Sequence, residues 1–252
     1  MTEHVEDASR IDLSHPDYPL RLDPFGEPMI ISSGGMKGAG KSHLNGLIYQ
    51  SWPGDKLAID VNGNAYVGPD AVPVSMDAEG RVPMRWPAQE PPIGERPRPR
   101  NLHYRANPAA ATYRDDLDRA VAMALFPQDH KVLLWAGEVG ELTPNSKAAP
   151  HMRQVLMQNR HYNVFALFDG PRPMNVDVLV LAQSNLVAIF RLPNPADRKR
   201  VADTIGFDPK RFDEECRRCW ARGKNWFLLW EVATETLWHG PPLPAGLEEK
   251  AA

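Results

Sequence analysis

Eight consecutive residues carry the strongest chemical signal in the chain: Gly35-Met36-Lys37-Gly38-Ala39-Gly40-Lys41-Ser42, a G-x-x-x-x-G-K-S spacing with His43 directly after it. Glycines at its first and sixth positions permit backbone angles that turn successive N–H groups toward a polyphosphate, at the positive end of a helix dipole. The lysine is placed for the terminal phosphates and the Ser42 hydroxyl for a Mg²⁺ ion. The flanks agree: Pro28-Met29-Ile30-Ile31 is a short strand-like run, and Ser42 to Gln50 is compatible with a helix. That strand–loop–helix order is the context in which the spacing means nucleotide binding, so Gly35 to His43 are expected to hold ATP with Mg²⁺.

A phosphate cradle does no chemistry without an acid at the end of a neighbouring strand and a group that orients water. The apolar run Lys131-Val132-Leu133-Leu134-Trp135-Ala136 leads into Gly137-Glu138. Many motor ATPases carry Asp-Glu after such a strand; here Gly137 takes the first place and Glu138 the second. Glu138 is therefore expected to orient the attacking water and to share the metal side with Ser42. Asp60 and Asp169, each closing a strand, are alternatives on the metal side, and Glu141 is another. Arg153, Arg160 and Arg172 are candidate cations for the phosphate of a neighbouring subunit, although each also reads as a solvated surface arginine. The catalytic set is thus Lys41, Glu138, Asp169, Arg160 and Arg172.

Positioning these groups takes alternating strands and helices. Strands are expected at Lys56–Asp60, Lys131–Ala136, Tyr162–Phe168, Leu186–Phe190 and Trp226–Trp230. Helices are expected at Tyr113–Leu125, Ala148–Gln158, Asp197–Thr204 and Pro209–Ala221, where Asp or Pro marks the starts of the last two. The alternation implies a mostly parallel sheet with right-handed crossovers. Residues 68–100 are proline-dense, end in Arg96-Pro97-Arg98-Pro99-Arg100 and read as an irregular excursion. This cluster and Arg198-Lys199-Arg200 are candidate contacts to a phosphate backbone, with a solvated helix face as the alternative for the second. Trp220, Trp226, Trp230 and Trp238 are expected to pack the C-terminal edge, and Cys216 and Cys219 to be reduced thiols one helical turn apart.

Composition narrows the classes. At 252 residues, with 42% hydrophobic and 24% charged residues, the chain suits one large globular α/β domain. A net charge of −3 gives no global attraction to DNA, so any such contact must be local. No apolar run is long enough to cross a bilayer, and the acidic N-terminus is not a secretory signal. A cytoplasmic location follows, in a host cell or associated with a virion if the protein is viral.

The phosphate loop, KLAIDVNGNA with Asp60, VLLWAGEVGEL, RHYNVFALFDGPRPMNVDVLVLAQSNLVAIFRL and NPADRKRVADTIG together resemble the FtsK–HerA superfamily. These are RecA-like DNA-pumping ATPases, and the resemblance spans roughly residues 28–245. It implies a RecA-like P-loop NTPase domain, a three-layer αβα sandwich with a mostly parallel central sheet. The domain would run over 28–245, after an entry segment at 1–27 and before a tail at 246–252. It further implies ATP hydrolysis with Mg²⁺, DNA as partner, and a homo-oligomeric ring, a hexamer by resemblance, used in genome packaging or DNA transfer. Two positions depart from the family pattern: Gly137 replaces an acid, and Pro171 stands where a glutamine sensor is common, which shifts sensing toward Asp169. Two other readings stay open: a nucleotide-binding scaffold with little turnover, and a small-molecule kinase using residues 81–100 as a lid.

Overall fold

The computed structural model describes residues 11–87, 98–126, 130–170 and 172–244. Its centre is a nine-stranded sheet. In chain order the strands are β3 (Ile30–Gly34), β4 (Asp55–Asp60), β5 (Val72–Pro73), β6 (Asn101–Arg105), β7 (Val132–Ala136), β8 (Val164–Gly170), β9 (Leu186–Ile189), β10 (Phe227–Glu231) and β11 (Thr236–Gly240). Before them, β1 (Ile11–Asp12) and β2 (Arg21–Leu22) form a separate antiparallel pair. Across the sheet the order is β11-β10-β9-β3-β8-β7-β4-β6-β5. From β9 to β5 every neighbouring pair is parallel; β10 runs against both its neighbours, β9 and β11.

The central strands are buried on both faces, as their unbroken apolar runs require. The two-residue period sends Leu133 and Trp135 to one face and Leu134 and Ala136 to the other. Helix α1 (Lys41–Ser51) covers the first face with Leu44, Ile48 and Tyr49. On the second face lie α2 (Tyr113–Leu125) and α3 (Pro150–Gln158), which bring Leu117, Val121, Met152 and Val155. The short α4 (Val178–Ala182) adds Val180 there. Helices α5 (Pro195–Ile205) and α6 (Pro209–Trp220) pack Val201, Phe212, Cys216 and Cys219 against Val187, Ile189, Leu228 and Trp230. The result is the three-layer α/β arrangement that the alternation of elements implied.

Local chemistry explains the helix starts. Asn194 caps α5 by accepting from the Ala196 amide, and Asp208 caps α6 by accepting from Arg211, each with a proline in the first turn. Helix α5 consequently begins two residues before the expected Asp197. The entry segment is part of the body over its described residues: Ile11, Tyr18, Leu20 and Leu22 are all buried in the same core as α1. The proline-dense excursion likewise contains β5, which pairs with β6.

The basic cluster on α5, the two cysteines and the tryptophans each have a defined place in the fold. Arg198 is buried, its guanidinium donating to the carbonyls of Leu192 and Pro193 at 2.7 Å and paired with Asp213. Arg200 donates to the Val176 carbonyl and Lys199 to Asp203. Arg198 and Arg200 therefore tie α5 to its neighbours, while Lys199 pairs within the helix and stays exposed; the candidate DNA contact through the buried Arg198 is corrected. Cys216 and Cys219 are buried free thiols; burial pushes both up, Cys219 to about 12, away from the thiolate that redox or metal chemistry needs. Trp230 lies in the C-terminal cluster, with Trp220 and Trp226 packed against it, while Trp238 sits against the α1-side core.

Candidate nucleotide site

Parallel pairing sets the carboxyl ends of β3, β8, β7 and β4 along one edge of the sheet, and the chemistry gathers there. Gly34 is level with Gly170, Ser33 with Asp169, Ala136 with Phe168, and Ile59 with Ala136. The loop from Gly35 to Gly40 leaves β3 and enters α1 at Lys41, as its spelling required.

The loop lies on Phe190, which follows β9. A Cβ at Gly40, whose φ is 114°, would come within 2.8 Å of the Phe190 ring; one at Gly35 would come within 2.6 Å of its Cβ. Those glycines allow close approach as well as unusual backbone angles. The Met36 amide completes the bed by donating to the Arg191 carbonyl at 2.8 Å.

Inside the loop, Lys41 is buried and donates to the carbonyls of Gly35 at 2.7 Å and Met36 at 3.1 Å. Burial pushes its ammonium below the ordinary lysine range, while the charges of Asp169 and Glu138 oppose that shift. Asp169, only 5% exposed, is the hub of the site. Its Oδ1 accepts from the Glu138 amide at 2.9 Å. Its Oδ2 lies within reach of three donors: the Ser42 hydroxyl and the Trp135 indole, both at 3.4 Å, and the Asn45 amide at 3.5 Å. Burial raises the Asp169 carboxyl, and these bonds together with Lys41 work against it.

Glu138 is half-buried and has left-handed backbone angles, φ 53° and ψ 54°, uncommon for a residue with a side chain. Burial raises its carboxyl, and the neighbouring Asp169 raises it further; Lys41 and a hydrogen bond with Asn62 pull it back. The edge thus holds one lysine between two acids.

The remaining expected residues divide. His43 turns its ring to the Pro244 carbonyl, 2.9 Å away. Arg172, half-exposed, follows β8 on the site's edge and pairs with Asp197 at 3.3 Å. Arg153 is exposed in the first turn of α3, the end reached from Glu138. Arg160 precedes β8 and pairs with Glu27, at the amino ends of the strands, so it does not belong to its own chain's site. Asp60 closes β4 but is committed to the next turn, accepting from Gly63 at 2.8 Å and Asn64 at 3.1 Å, with His103 at 3.3 Å. Glu141 is taken by Tyr113 and Arg114. Pro171, the expected sensor departure, lies outside the described residues, as do Arg96 and Pro97 of the basic run.

Sequence reasoning did not assign Asn45, Trp135 and Phe190 to the site, and it read Asn62 only as part of a turn. Asn45 alone carried a signal, since it lies three residues after Ser42 and hence on the same helical face. The others arrive through sheet order.

No family model matches the chain, and no curated protein does. Solved structures do. The genome packaging NTPase B204 from Sulfolobus turreted icosahedral virus 2, in complex with ATP-gammaS, superposes with a TM-score of 0.65 at 15% identity, over 88% of this chain and 100% of that one. The pCW3 conjugation coupling protein TcpA, with ATPgS, gives 0.54 at 14% identity over 92% of this chain and 66% of that one. ATPases 2 and 3 of Thermomonospora curvata EccC give 0.53 at 11% identity over 96% of this chain and 42% of theirs. These are P-loop ATPases of the FtsK–HerA type. At such identities they establish that this chain shares their fold. Among the described residues, no helix is long and apolar enough to cross a membrane.

Proposed function

We propose that this chain is a Mg²⁺-dependent ATPase that drives DNA movement from a homo-oligomeric ring, in genome packaging or DNA transfer. The observation that supports it most is the convergence of Lys41, Ser42, Asp169 and Glu138 at the loop edge of a sheet shared with packaging and conjugation ATPases.

The site's donors fit a magnesium ion. They are oxygens, a hydroxyl and carboxylates, the hard ligands Mg²⁺ prefers. Two acids against one lysine would repel a triphosphate unless a divalent cation accompanied it. When bound, the ion would neutralise charge building on the phosphates. The chain's own parts do the rest: the loop amides and Lys41 cradle the phosphates, and Glu138 orients the attacking water, its carboxylate steadied by Asn62. An exposed arginine, Arg172 or Arg153, completes a neighbouring subunit's site.

The kinase reading loses support because part of its lid is fastened elsewhere: Arg81 pairs with Asp115 and Asp116, and Arg119 donates to the Val82 carbonyl, tying this stretch to α2.

The test is phosphate release across a range of protein concentrations, with and without DNA. Specific activity is expected to rise with concentration and with DNA, and Lys41→Ala to lower it by about 10² or more, the scale of losing a phosphate-directed charge. ATPγS binding without turnover would establish the scaffold reading instead. Turnover independent of concentration would end the ring model.

A further inference from the structure

We propose that Asp169, on β8, is the carboxylate on the metal side of this site, and that position 137 is a glycine because Asp169 has taken the space of an acid on β7. The assignment rests on the nucleotide reading above and goes beyond it: it removes Glu138 from the metal side and leaves it to orient water.

Three observations converge. The first is position. Strand β8 lies directly between the loop strand β3 and β7, so an acid near its end is one strand closer to Ser42 than an acid ending β7. The Ser42 hydroxyl donates to Asp169 at 3.4 Å. The second is orientation. Both Asp169 oxygens are fixed, Oδ1 by the Glu138 amide and Oδ2 by Ser42, Trp135 and Asn45, so the carboxylate is held at the loop. Fixing an acid through a surrounding set of donors is how metal-side ligands are kept in place.

The third concerns Gly137 itself. It is absent from the residues with positive φ, so its backbone would accept a side chain. A Cβ there would sit 3.6 Å from Asp169 Oδ1 and 3.7 Å from the Ile59 carbonyl, in ordinary contact. A methyl group fits. An aspartate would bring a second carboxylate against the first, in a buried place where like charges repel strongly. The usual acid and Asp169 are therefore alternatives for one space. The rivals are accounted for: Asp60 is spent on the 61–64 turn, and Glu141 on Tyr113 and Arg114.

The experiment measures ATPγS affinity with Mg²⁺ and with EDTA on the full chain, for the wild type, Asp169→Asn, Glu138→Gln and the double variant Gly137→Asp/Asp169→Asn. The quantity read is the ratio of the two dissociation constants, so it does not depend on turnover. Asp169→Asn is expected to reduce the Mg²⁺ enhancement at least tenfold, and Glu138→Gln to keep it within threefold of wild type. The double variant, which returns a carboxylate from β7, is expected to recover most of it. Loss of enhancement in Glu138→Gln with retention in Asp169→Asn would overturn the assignment. Should Asp169→Asn fail to fold, the double variant decides: a folded protein with Mg²⁺ enhancement supports the exchange, and one without it, or one that also fails to fold, refutes it. A wild type that binds no ATPγS at all would instead sink the nucleotide reading.

Discussion

The contact between the phosphate loop and Phe190 gives a prediction whose size can be worked out. Phe190 is fully buried, stacks on Phe227 with ring centroids 5.0 Å apart, and meets the loop at Gly35 and Gly40. In Gly40→Ala the new methyl would lie 2.8 Å from Phe190 Cε1 and 3.3 Å from Cδ1. Overpacking of that kind costs about 1–3 kcal/mol. Holding alanine at the Gly40 backbone angles adds about 1–3 kcal/mol. Phe190→Leu removes three ring carbons, about 2.4 kcal/mol at about 0.8 kcal/mol per buried carbon. One of the three is Cε1, the atom the methyl strikes at 2.8 Å. The double variant should therefore lose less than the sum of the singles by about 1–3 kcal/mol, the steric part alone, because the backbone strain survives. Urea unfolding of the four proteins measures this coupling directly. Additivity within about 0.5 kcal/mol would mean that the ring does not support the loop.

Two further outcomes follow from the site and its border. Glu138→Gln is expected to keep ATPγS binding and lower turnover by about 10² or more, as for loss of a general base; an unchanged rate in a single-turnover assay would take the water-orienting role from it. Burial works to raise the Asp60 carboxyl, but His103 and the Ala65 and Asn64 amides outweigh it, leaving the folded value below the ordinary one. Its stabilisation is thus complete above about pH 4 and lost as pH falls through the lower folded value, so Asp60→Asn should flatten the acid limb of melting temperature against pH, and an unchanged acid limb would contradict the pairing.

Much of the sheet was legible because β3, β4, β7 and β8 are largely buried and each contains an apolar run, complete in β7 and shorter in β3 and β4. Strand β6 escaped because Asn101, His103 and Arg105 interrupt its pattern; its stability comes from pairing with β4. Strand β11 escaped for a related reason, since most of it is only half-buried. The loop was legible from its spelling and its strand–loop–helix flanks, because a phosphate-binding loop is read from contiguous residues. The acids were not. Asp60 and Asp169 both end apolar strands, and choosing between them requires knowing which strand lies beside β3. That order is set by long-range packing and leaves no mark on local sequence.

The geometry of Glu138 follows from the same arrangement. A residue with a side chain in left-handed angles costs about 1–2 kcal/mol relative to its ordinary conformation. Here the cost is offset by the bond its amide makes to Asp169 Oδ1, the oxygen turned away from Ser42. One carboxylate therefore touches helix α1 through Oδ2 and sets the backbone of Glu138 through Oδ1. An acid carried by residue 137 itself would leave the Glu138 amide without this partner on β8. On the proposed exchange of acids, a single side chain on β8 links the loop helix to Glu138, and the backbone at Glu138 and the glycine at 137 both face the same oxygen, Asp169 Oδ1.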